Sequence, residues 1–376
     1  TDAIDYGCRP DIEAAYGDKL RPMDAFKDSA PAELVDCVGH DDLIVLMFTS
    51  GTTGRSKGVM LSEKNYFTAC QMYIDGLKSV LDHEERLVPQ YLDQTFSHFT
   101  LVPMFHLAGF ICYFVYGIQG WTLNLCCDAR DLRRDMSLMH SDAMSTPPVL
   151  VEMICNEVKR GHADRLNGLW NLSCSSAILD PAILSDLVKN GFYINQCYSM
   201  TELAGYGLLN VTQEGDHLRA LGKPDGFCEV KVDETGEICV RGGCVMLGYY
   251  KDPEATAEVI DKDGWFHTGD IARLEEDSYM YLTGRKKNLI ILDSGENISP
   301  EELEGMVEKC PVVQECIVKE LGKKIGVVVY CEKEHQQTVR DFVTQMNRTV
   351  PLYKRIGVVE FSAEPLPRNA TGKLVR

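Results

Sequence analysis

Apolar runs along this chain are short and repeatedly give way to glycine and hydroxyl residues. Leu43 to Phe48 (L-I-V-L-M-F) is a run of the kind that makes a buried strand, and it empties into Thr49 to Gly58, T-S-G-T-T-G-R-S-K-G. Apolar side chains then return at Tyr66, Phe67, Cys70, Tyr73 and Ile74, the spacing of a helix with one core face, which the pattern opens at Ser62. Leu101 to Cys127 carries no Asp, Glu, Lys or Arg and imitates a membrane span. A spanning helix needs about 20 predominantly apolar residues, and Pro103, His106, Gly117, Gln119, Gly120 and Asn124 break the run. The pattern predicts a short buried helix over Leu107 to Tyr116 and a strand over Trp121 to Cys127.

Further along, a strand at Asn171-Leu172 precedes Ser173 to Pro181 (S-C-S-S-A-I-L-D-P), and a helix starts at about Pro181. Lys189-Asn190-Gly191 ends that helix, because glycine just past the last turn is a common stop. Phe192 to Tyr198 is the next strand. Glu229–Val232 and Glu237–Arg241 flank Asp233-Glu-Thr-Gly236, a turn between two strands. Ser299-Pro-Glu-Glu302 is a helix start: Ser299 caps, Pro300 takes the first helical position, Glu302 closes a capping box, and Leu303, Met306 and Val307 face inward. Strands at Cys316–Lys319 and Ile325–Cys331, a turn at Gly322 and a helix over Thr338–Met346 complete a small α+β module.

With 376 residues, 45% of them hydrophobic, the chain suits two or more domains. A net charge of −18 argues against a nucleic-acid coat protein. The acidic excess lies before residue 286, so any phosphate bound there must be neutralised locally. The 15 cysteines include no C-x-x-C, and Cys126 and Cys127 are adjacent, which suits neither a zinc ribbon nor a disulfide framework. Reduced thiols in a cytoplasm, with no signal peptide, are the expectation.

The candidate chemistry centres on Thr49 to Gly58. Gly51, Gly54 and Gly58 permit backbone conformations that a side chain would block. Backbone N–H groups and the hydroxyls of Thr49, Ser50, Thr52 and Thr53 can then face phosphate oxygens, with Lys57 adding charge. The stretch does not fit the Walker loop: Gly51 and Gly54 are too close, Lys57 follows Ser56, and Gly58 stands where Ser or Thr should be.

The string closely resembles the phosphate loop of the adenylate-forming superfamily, which includes acyl-CoA synthetases, aryl-CoA ligases, luciferases and peptide-synthetase adenylation domains. Further ordered matches extend the resemblance over nearly the whole chain. Tyr198 to Glu202 (Y-S-M-T-E) resembles aromatic-Gly-x-Thr-Glu, with Ser199 in place of glycine and Met200 at the free position. The resemblance implies that Tyr198 stacks on adenine, Thr201 bonds the α-phosphate and Glu202 holds Mg²⁺. Asp270, closing Asp263-Gly-Trp-Phe-His-Thr-Gly-Asp270, is implied to accept hydrogen bonds from the ribose diol. A carboxylate's two oxygens suit that role. Ser175, Ser176 and Ala177 stand where relatives place adenine against glycines. His106, in Pro103-Met-Phe-His106, is implied to line the acyl pocket. Arg285 matches a ribose and phosphate contact, Lys287 a hinge, and Gly295 a loop facing the thiol acceptor's tunnel. Lys373, closing Pro367-Arg-Asn-Ala-Thr-Gly-Lys373, matches the lysine that reaches the α-phosphate and the carboxylate.

The resemblance implies an α/β adenylate-forming fold. A large N-terminal domain, 1–285, would hold αβαβα-layered sheets and a small β-barrel-like subdomain at about 215–285. A small mobile α+β C-terminal domain, 286–376, would follow. Relatives carry on the order of a hundred further residues, about a small domain's worth, before the phosphate loop, so an N-terminally shortened chain is expected. The implied activity is ATP-dependent activation of a carboxylic acid to acyl-AMP, with Mg²⁺, and transfer to CoA. The run from Gly284 to Pro300 looks most like bacterial fatty acyl-CoA synthetases, so a medium- or long-chain fatty acid is the expected substrate. An aryl-CoA ligase, a carrier-protein-loading adenylation enzyme and an inactive nucleotide-binding remnant stay open. The expected partners are a small-molecule carboxylic acid, ATP and CoA, without nucleic acid or an integral membrane segment; a homodimer is also open.

Overall fold

The computed structural model describes residues 39–49, 56–83, 96–126, 128–175, 179–205, 207–213, 215–224, 226–291, 297–322, 324–368 and 374. Its central sheet has six strands in the order β4-β3-β5-β6-β7-β8: β3 (Ser97–Thr100), β4 (Thr122–Leu125), β5 (Ala143–Thr146), β6 (Asn171–Ser175), β7 (Tyr193–Ser199) and β8 (Gly207–Asn210). Every pairing is parallel except β7 with β8. Alternate residues point to opposite faces. On one face Phe99, Met144, Leu172, Cys174 and Ile194 pack with Met136 of α3 (Leu132–Leu138), Val151 and Ile154 of α4 (Pro148–Lys159) and Leu184 and Leu187 of α5 (Pro181–Lys189). Each fully buried Leu or Ile there contributes about 1.5–3 kcal/mol, and Leu184→Ala would cost about 2–5 kcal/mol through the cavity it leaves. Asp180 caps α5 by accepting from the Ala182 N–H at 2.8 Å.

The opposite face is lined by other residue types: His98, Ala143, Ser145, Asn171, Ser173, Asn195 and Cys197. It lies under α1 (Glu63–His83) and α2 (Leu107–Gln119). The sheet is therefore apolar toward α4 and α5 and largely polar toward α1 and α2.

β1 (Leu43–Thr49) and β2 (Lys57–Ser62) form an antiparallel hairpin with β11 (Gly248–Tyr249) beside β2. The apolar run of β1 predicts burial on both faces, but only Val45 and Met47 are buried, and Leu43, Ile44, Leu46 and Phe48 are exposed. β1 lies at the edge of this sheet, and only one of its faces meets the core. α1 is capped at Ser62, as expected: the Asn65 N–H donates to Ser62 Oγ, and the Ser62 N–H donates to Asn65 Oδ1. The helix runs nine residues past Ile74, the last apolar position of the predicted face, to His83. Its buried stripe holds Tyr66, Ala69, Cys70 and Met72, while Phe67 is exposed.

β9 (Glu229–Val232), β10 (Glu237–Arg241), β12 (Phe266–Leu274) and β13 (Met280–Arg285) make a four-stranded antiparallel sheet in the order β13-β12-β10-β9. α6 (Pro253–Val259) precedes β12. Beyond residue 285 come the β14 (Ile290–Ile291) and β15 (Asn297–Ile298) hairpin, α7 (Pro300–Val307), β16 (Glu315–Leu321), β17 (Lys324–Tyr330), α8 (Gln336–Met346) and β18 (Val358–Ser362). All the buried residues of their shared core, from Ile290 to Ile356, come from this last part of the chain. Ser299 caps α7 as expected, accepting from the Glu302 N–H at 3.3 Å, but Glu302 does not close a capping box. Its carboxylate pairs instead with Lys354 at 2.7 Å, because a nearby ammonium outcompetes a backbone amide for a charge. The sequence pattern also missed β18, which pairs parallel with β17.

The helix over Leu107–Gln119 is three residues longer than predicted and ends at Gly120, whose φ of 71° suits glycine. Among the described residues no helix is long and apolar enough to cross a membrane. Twelve described cysteines are buried.

Candidate active site

β7 carries Tyr198 and Ser199 to the C-terminal end of the sheet, where a 3-10 turn over Thr201–Leu203 presents Glu202. Binding groups gather at this end in parallel sheets. The turn is held open by Ala204 and Gly205, both at positive φ, and by the Met246 N–H donating to the Glu202 carbonyl at 2.9 Å. Gly207 pairs with Ser199, and a Cβ there would lie 1.4 Å from the Tyr198 carbonyl oxygen, so only glycine allows β8 to approach.

From Glu202 the contacts run in two directions. The Tyr249 hydroxyl donates to Glu202 Oε1 at 3.0 Å, and the Lys57 ammonium sits 4.5 Å from the centre of the Tyr249 ring. This cation–π contact ties the first residue of β2 to the carboxylate turn through β11. Burial, and after it the Glu202 charge, pushes the Tyr249 hydroxyl's pKa up, so it stays a donor. In the other direction, the Tyr198 hydroxyl donates to Asp270 Oδ2 at 2.8 Å, and Arg285 Nε lies 2.9 Å from Asp270 Oδ1. Asp270 and Arg285 are register partners across β12 and β13, and the Asp270 side chain is almost wholly buried. Burial first, then the Asp270 charge, raises the Tyr198 pKa and keeps that hydroxyl protonated.

Lys57, Glu202, Thr201, Tyr198, Ser199, Met200, Asp270 and Arg285 thus occupy one connected region. Thr49 is the register partner of Lys57, with its hydroxyl donating to the Lys57 carbonyl at 3.5 Å. Ser50, Gly51, Thr52, Thr53 and Gly54, and with them Ser176, Ala177, Gly295 and Lys373, lie outside the described residues. Ser175 ends β6 beside Cys197. His106 is the N-cap of α2, with Nδ1 accepting from the Ala108 N–H at 3.2 Å. Its neighbours Met104 and Phe105 are exposed. Lys287 lies exposed in a 3-10 turn over Lys286–Asn288.

Three participants were not singled out by the sequence. Tyr249 bridges Lys57 and Glu202. Asn65 donates to the carbonyls of Gly243 and Val245 at 2.8 and 2.7 Å, which holds the segment leading to Tyr249. Glu237, buried in β10, accepts from the Gly269 N–H at 2.8 Å and from the Lys286 ammonium at 2.7 Å. It therefore links the residue before Asp270 to the residue before Lys287. The Glu237 hydrogen bond raises the Lys286 pKa. Each of these signals depends on residues far apart in sequence.

Beside this region a cavity of about 50 Å³ lies between α2, α1 and the polar face of the sheet. Ile111 and Cys112 line it, beginning about 8 Å along the helix axis from His106 at 1.5 Å per residue. Cys197, next to Tyr198, lines it from below.

As a donor set for Mg²⁺, the region offers the Glu202 carboxylate, oriented by Tyr249. That fits an ion that prefers one or two carboxylates together with phosphate oxygens.

Residues 8–250 match the model of the AMP-binding enzyme family. The chain is similar to a feruloyl-CoA synthase of Amycolatopsis sp, 31% identical over 96% of this chain and 74% of the relative. It is also similar to the peroxisomal OPC-8:0-CoA ligase 1 of Arabidopsis thaliana, 28% identical over 96% of this chain and 68% of the relative. The solved structure of ATP-bound MatB from Rhodopseudomonas palustris superposes with a TM-score of 0.75 at 25% identity, covering 93% of this chain and 70% of that one. On the family match and these similarities, the chain belongs to the AMP-binding enzyme family and is an AMP-forming acid–thiol ligase.

Proposed function

We propose that the chain activates a small carboxylic acid with ATP and passes the acyl group to CoA. The observation that carries this reading is the continuous line of contacts Lys57–Tyr249–Glu202 with Tyr198–Asp270–Arg285 beside it. It joins a cation, a carboxylate and a buried acceptor in one run of contacts. The Asp270 carboxylate accepts from the ribose hydroxyls, with Tyr198 and Arg285 holding it in place. Lys57, Thr201 and the N–H groups of residues 50–54 hold the phosphates. Mg²⁺ held by Glu202 would neutralise charge on the α- and β-phosphates. The acid's carboxylate oxygen attacks the α-phosphorus in line. The bond to the β-phosphate breaks, and pyrophosphate leaves with its electron pair. Positioning and preorganised charge supply most of the rate. Lys373 is the cation assigned to the charge that builds on the α-phosphate in this step.

In the second step the CoA thiol sulfur attacks the acyl carbon, AMP leaves, and the thiol proton passes to water. We assign residues 286–376 to a separate domain that turns about Lys287 between the steps, withdrawing Lys373 and bringing in Gly295. The separate core beyond residue 289 supports that division. The names of the sequence relatives, feruloyl-CoA synthase and several 4-coumarate–CoA ligases among them, favour an aryl acid over a medium- or long-chain fatty acid.

The test is magnesium-dependent exchange of labelled pyrophosphate into ATP with a panel of aryl, medium-chain and long-chain acids. Exchange that depends on the acid supports the reading. ATP binding without exchange for every acid would leave a nucleotide-binding remnant.

A further inference from the structure

The four-stranded antiparallel sheet gathers three side chains that the acid-activating site does not use: Asp233 in the turn between β9 and β10, Cys239 in β10 and His267 in β12. Cys239 and His267 are register partners across β10 and β12. One carboxylate oxygen, the thiol sulfur and one ring nitrogen of the three lie within 4.8 Å of one another. Cys239 Sγ is 3.4 Å from His267 Nδ1 and 4.0 Å from Asp233 Oδ2, and Glu237 Oε2 is 3.3 Å from the same Nδ1. Bonds of about 2.0–2.3 Å from zinc to N, O and S, opened at the tetrahedral angle, set ligand atoms about 3.3–3.6 Å apart. The edges of this cluster match that spacing, with only the Asp233 edge wider.

The donors are also oriented. Asp233 Oδ1 accepts from the N–H groups of Thr235 and Glu237 at 2.8 and 2.9 Å, which leaves Oδ2 turned to Cys239. His267 Nε2 faces Asp261 Oδ2 at 3.5 Å. A carboxylate behind the far ring nitrogen is the usual support of a metal-bound histidine, because it fixes the tautomer. A neutral imidazole has one N–H. With that proton on Nε2 toward Asp261, Nδ1 turns a lone pair to the Glu237 carboxylate, and a cation between them removes the conflict. The Cys239 thiol has one hydrogen, yet Nδ1, Asp233 Oδ2 and, at 3.7 Å, the Glu237 carbonyl all face the sulfur. Cys239 is buried, whereas Asp233 and His267 are half-buried, so the cluster is open to an ion from solvent.

We propose that Asp233, Cys239 and His267 form a site for a thiophilic divalent cation of the zinc class, with Glu237 as the fourth donor. Thiolate and imidazole select against Mg²⁺ and Ca²⁺, which take oxygen ligands, so this site is chemically distinct from the one assigned to Glu202. On binding, the Cys239 S–H bond breaks, the proton passes to solvent, and the sulfur's electron pair binds the ion without a change of oxidation state. Glu237 Oε2 also accepts from the Lys286 ammonium at 2.7 Å, so the ion and Lys286 compete for it. The bound ion ties the β9–β10 turn to β10 and β12, three residues before Asp270. This inference goes beyond the acid-activating function and stands without it.

The test titrates the full chain, freed of metal with a chelator and kept reduced, with Zn²⁺ by calorimetry and with Co²⁺ as a spectroscopic probe. One equivalent of Co²⁺ should give thiolate charge-transfer absorption and the intense d–d bands of tetrahedral cobalt, and Zn²⁺ should bleach both. Zn²⁺ should also raise the midpoint of thermal unfolding. Cys239→Ser and His267→Gln should each weaken Zn²⁺ binding by at least about 100-fold, and Cys239→Ser should remove the charge-transfer absorption. Asp261→Asn keeps an acceptor for the Asp263 and Trp265 N–H groups but offers an amide to Nε2, and should cost about 10- to 100-fold in affinity. It decides the matter if the ligand variants fail to fold. Lys286→Met should tighten Zn²⁺ binding by about 2- to 5-fold, a modest gain because that ammonium is half exposed. Unchanged affinity there removes Glu237 from the ligand set. Absence of tetrahedral cobalt bands, or bands and affinity that persist in Cys239→Ser and Asp261→Asn, overturns the site.

Discussion

Asp270 is almost wholly buried and receives the Tyr198 hydroxyl at 2.8 Å and Arg285 Nε at 2.9 Å. Replacing Asp270 with Asn keeps the shape and removes the charge. The Tyr198 contact is a hydrogen bond to a charged group and is worth about 1.5–3 kcal/mol. Arg285 is 43% exposed, so its share is screened to about 0–1 kcal/mol. Asp270→Asn should therefore destabilise the fold by about 2–4 kcal/mol. Tyr198→Phe should cost about 1–3 kcal/mol, because it strips one donor from a buried carboxylate. If the two groups act through each other, the double variant should fall short of the sum of the singles by at least about 1 kcal/mol, well beyond the ~0.3–0.5 kcal/mol scatter of independent sites. Urea unfolding followed by tryptophan fluorescence measures the cycle, and pyrophosphate exchange measures its functional side. The ATP KM should rise more for Asp270→Asn than for Tyr198→Phe, since only the first replaces one of the two acceptor oxygens that a diol needs with a donor. Additive stabilities would refute the coupling. Equal and small KM changes would refute the ribose role.

Further outcomes follow from other parts of the site. Gly207→Ala places a Cβ on the Tyr198 carbonyl oxygen and should lower stability by about 2–4 kcal/mol together with exchange activity, read by thermal unfolding and the exchange assay. His98 has its folded pKa pushed down to about 3 from 6.5, so the unfolded chain binds the extra proton. Stability should fall as pH drops from about 6.5 toward 3, and His98→Gln should flatten that slope in acid unfolding curves. Lys286 has its pKa raised by Glu237, so its contribution is complete below its ordinary value of 10.5 and is lost as pH rises through the higher folded value. Lys286→Met should remove that alkaline loss of stability in unfolding measured as a function of pH. Lys373→Ala should sharply reduce adenylation while sparing thioester formation from supplied acyl-adenylate. Equal losses in both half-reactions, measured separately, would remove the two-state domain reading.

Local signals carried much of the chain's description. The turn at Asp233-Glu-Thr-Gly236 set both flanking strands to the residue, and Ser299 with Pro300 set the start of α7. These features depend on neighbours in sequence, so a linear pattern contains them. The segments around Lys57, Tyr198 to Glu202, Asp270 and Arg285 stood out by their resemblance to family motifs, and the fold joins them in one run of contacts. Burial was a different matter. The apolar run of β1 reads as a core strand, and only its place at a sheet edge leaves Phe48 exposed. Ser97-His98-Phe99-Thr100 reads as a half-polar segment, and only its place inside a parallel sheet buries all four residues. The contacts Tyr249 to Glu202, Lys286 to Glu237 and Asn195 to Asn171 join residues 24 to 49 positions apart. Such pairs have no sequence signature, since the three-dimensional crossing of strands decides which polar groups meet. The sequence thus determined which chemical groups this protein carries and in what order, while the tertiary structure decided which of them share a buried space.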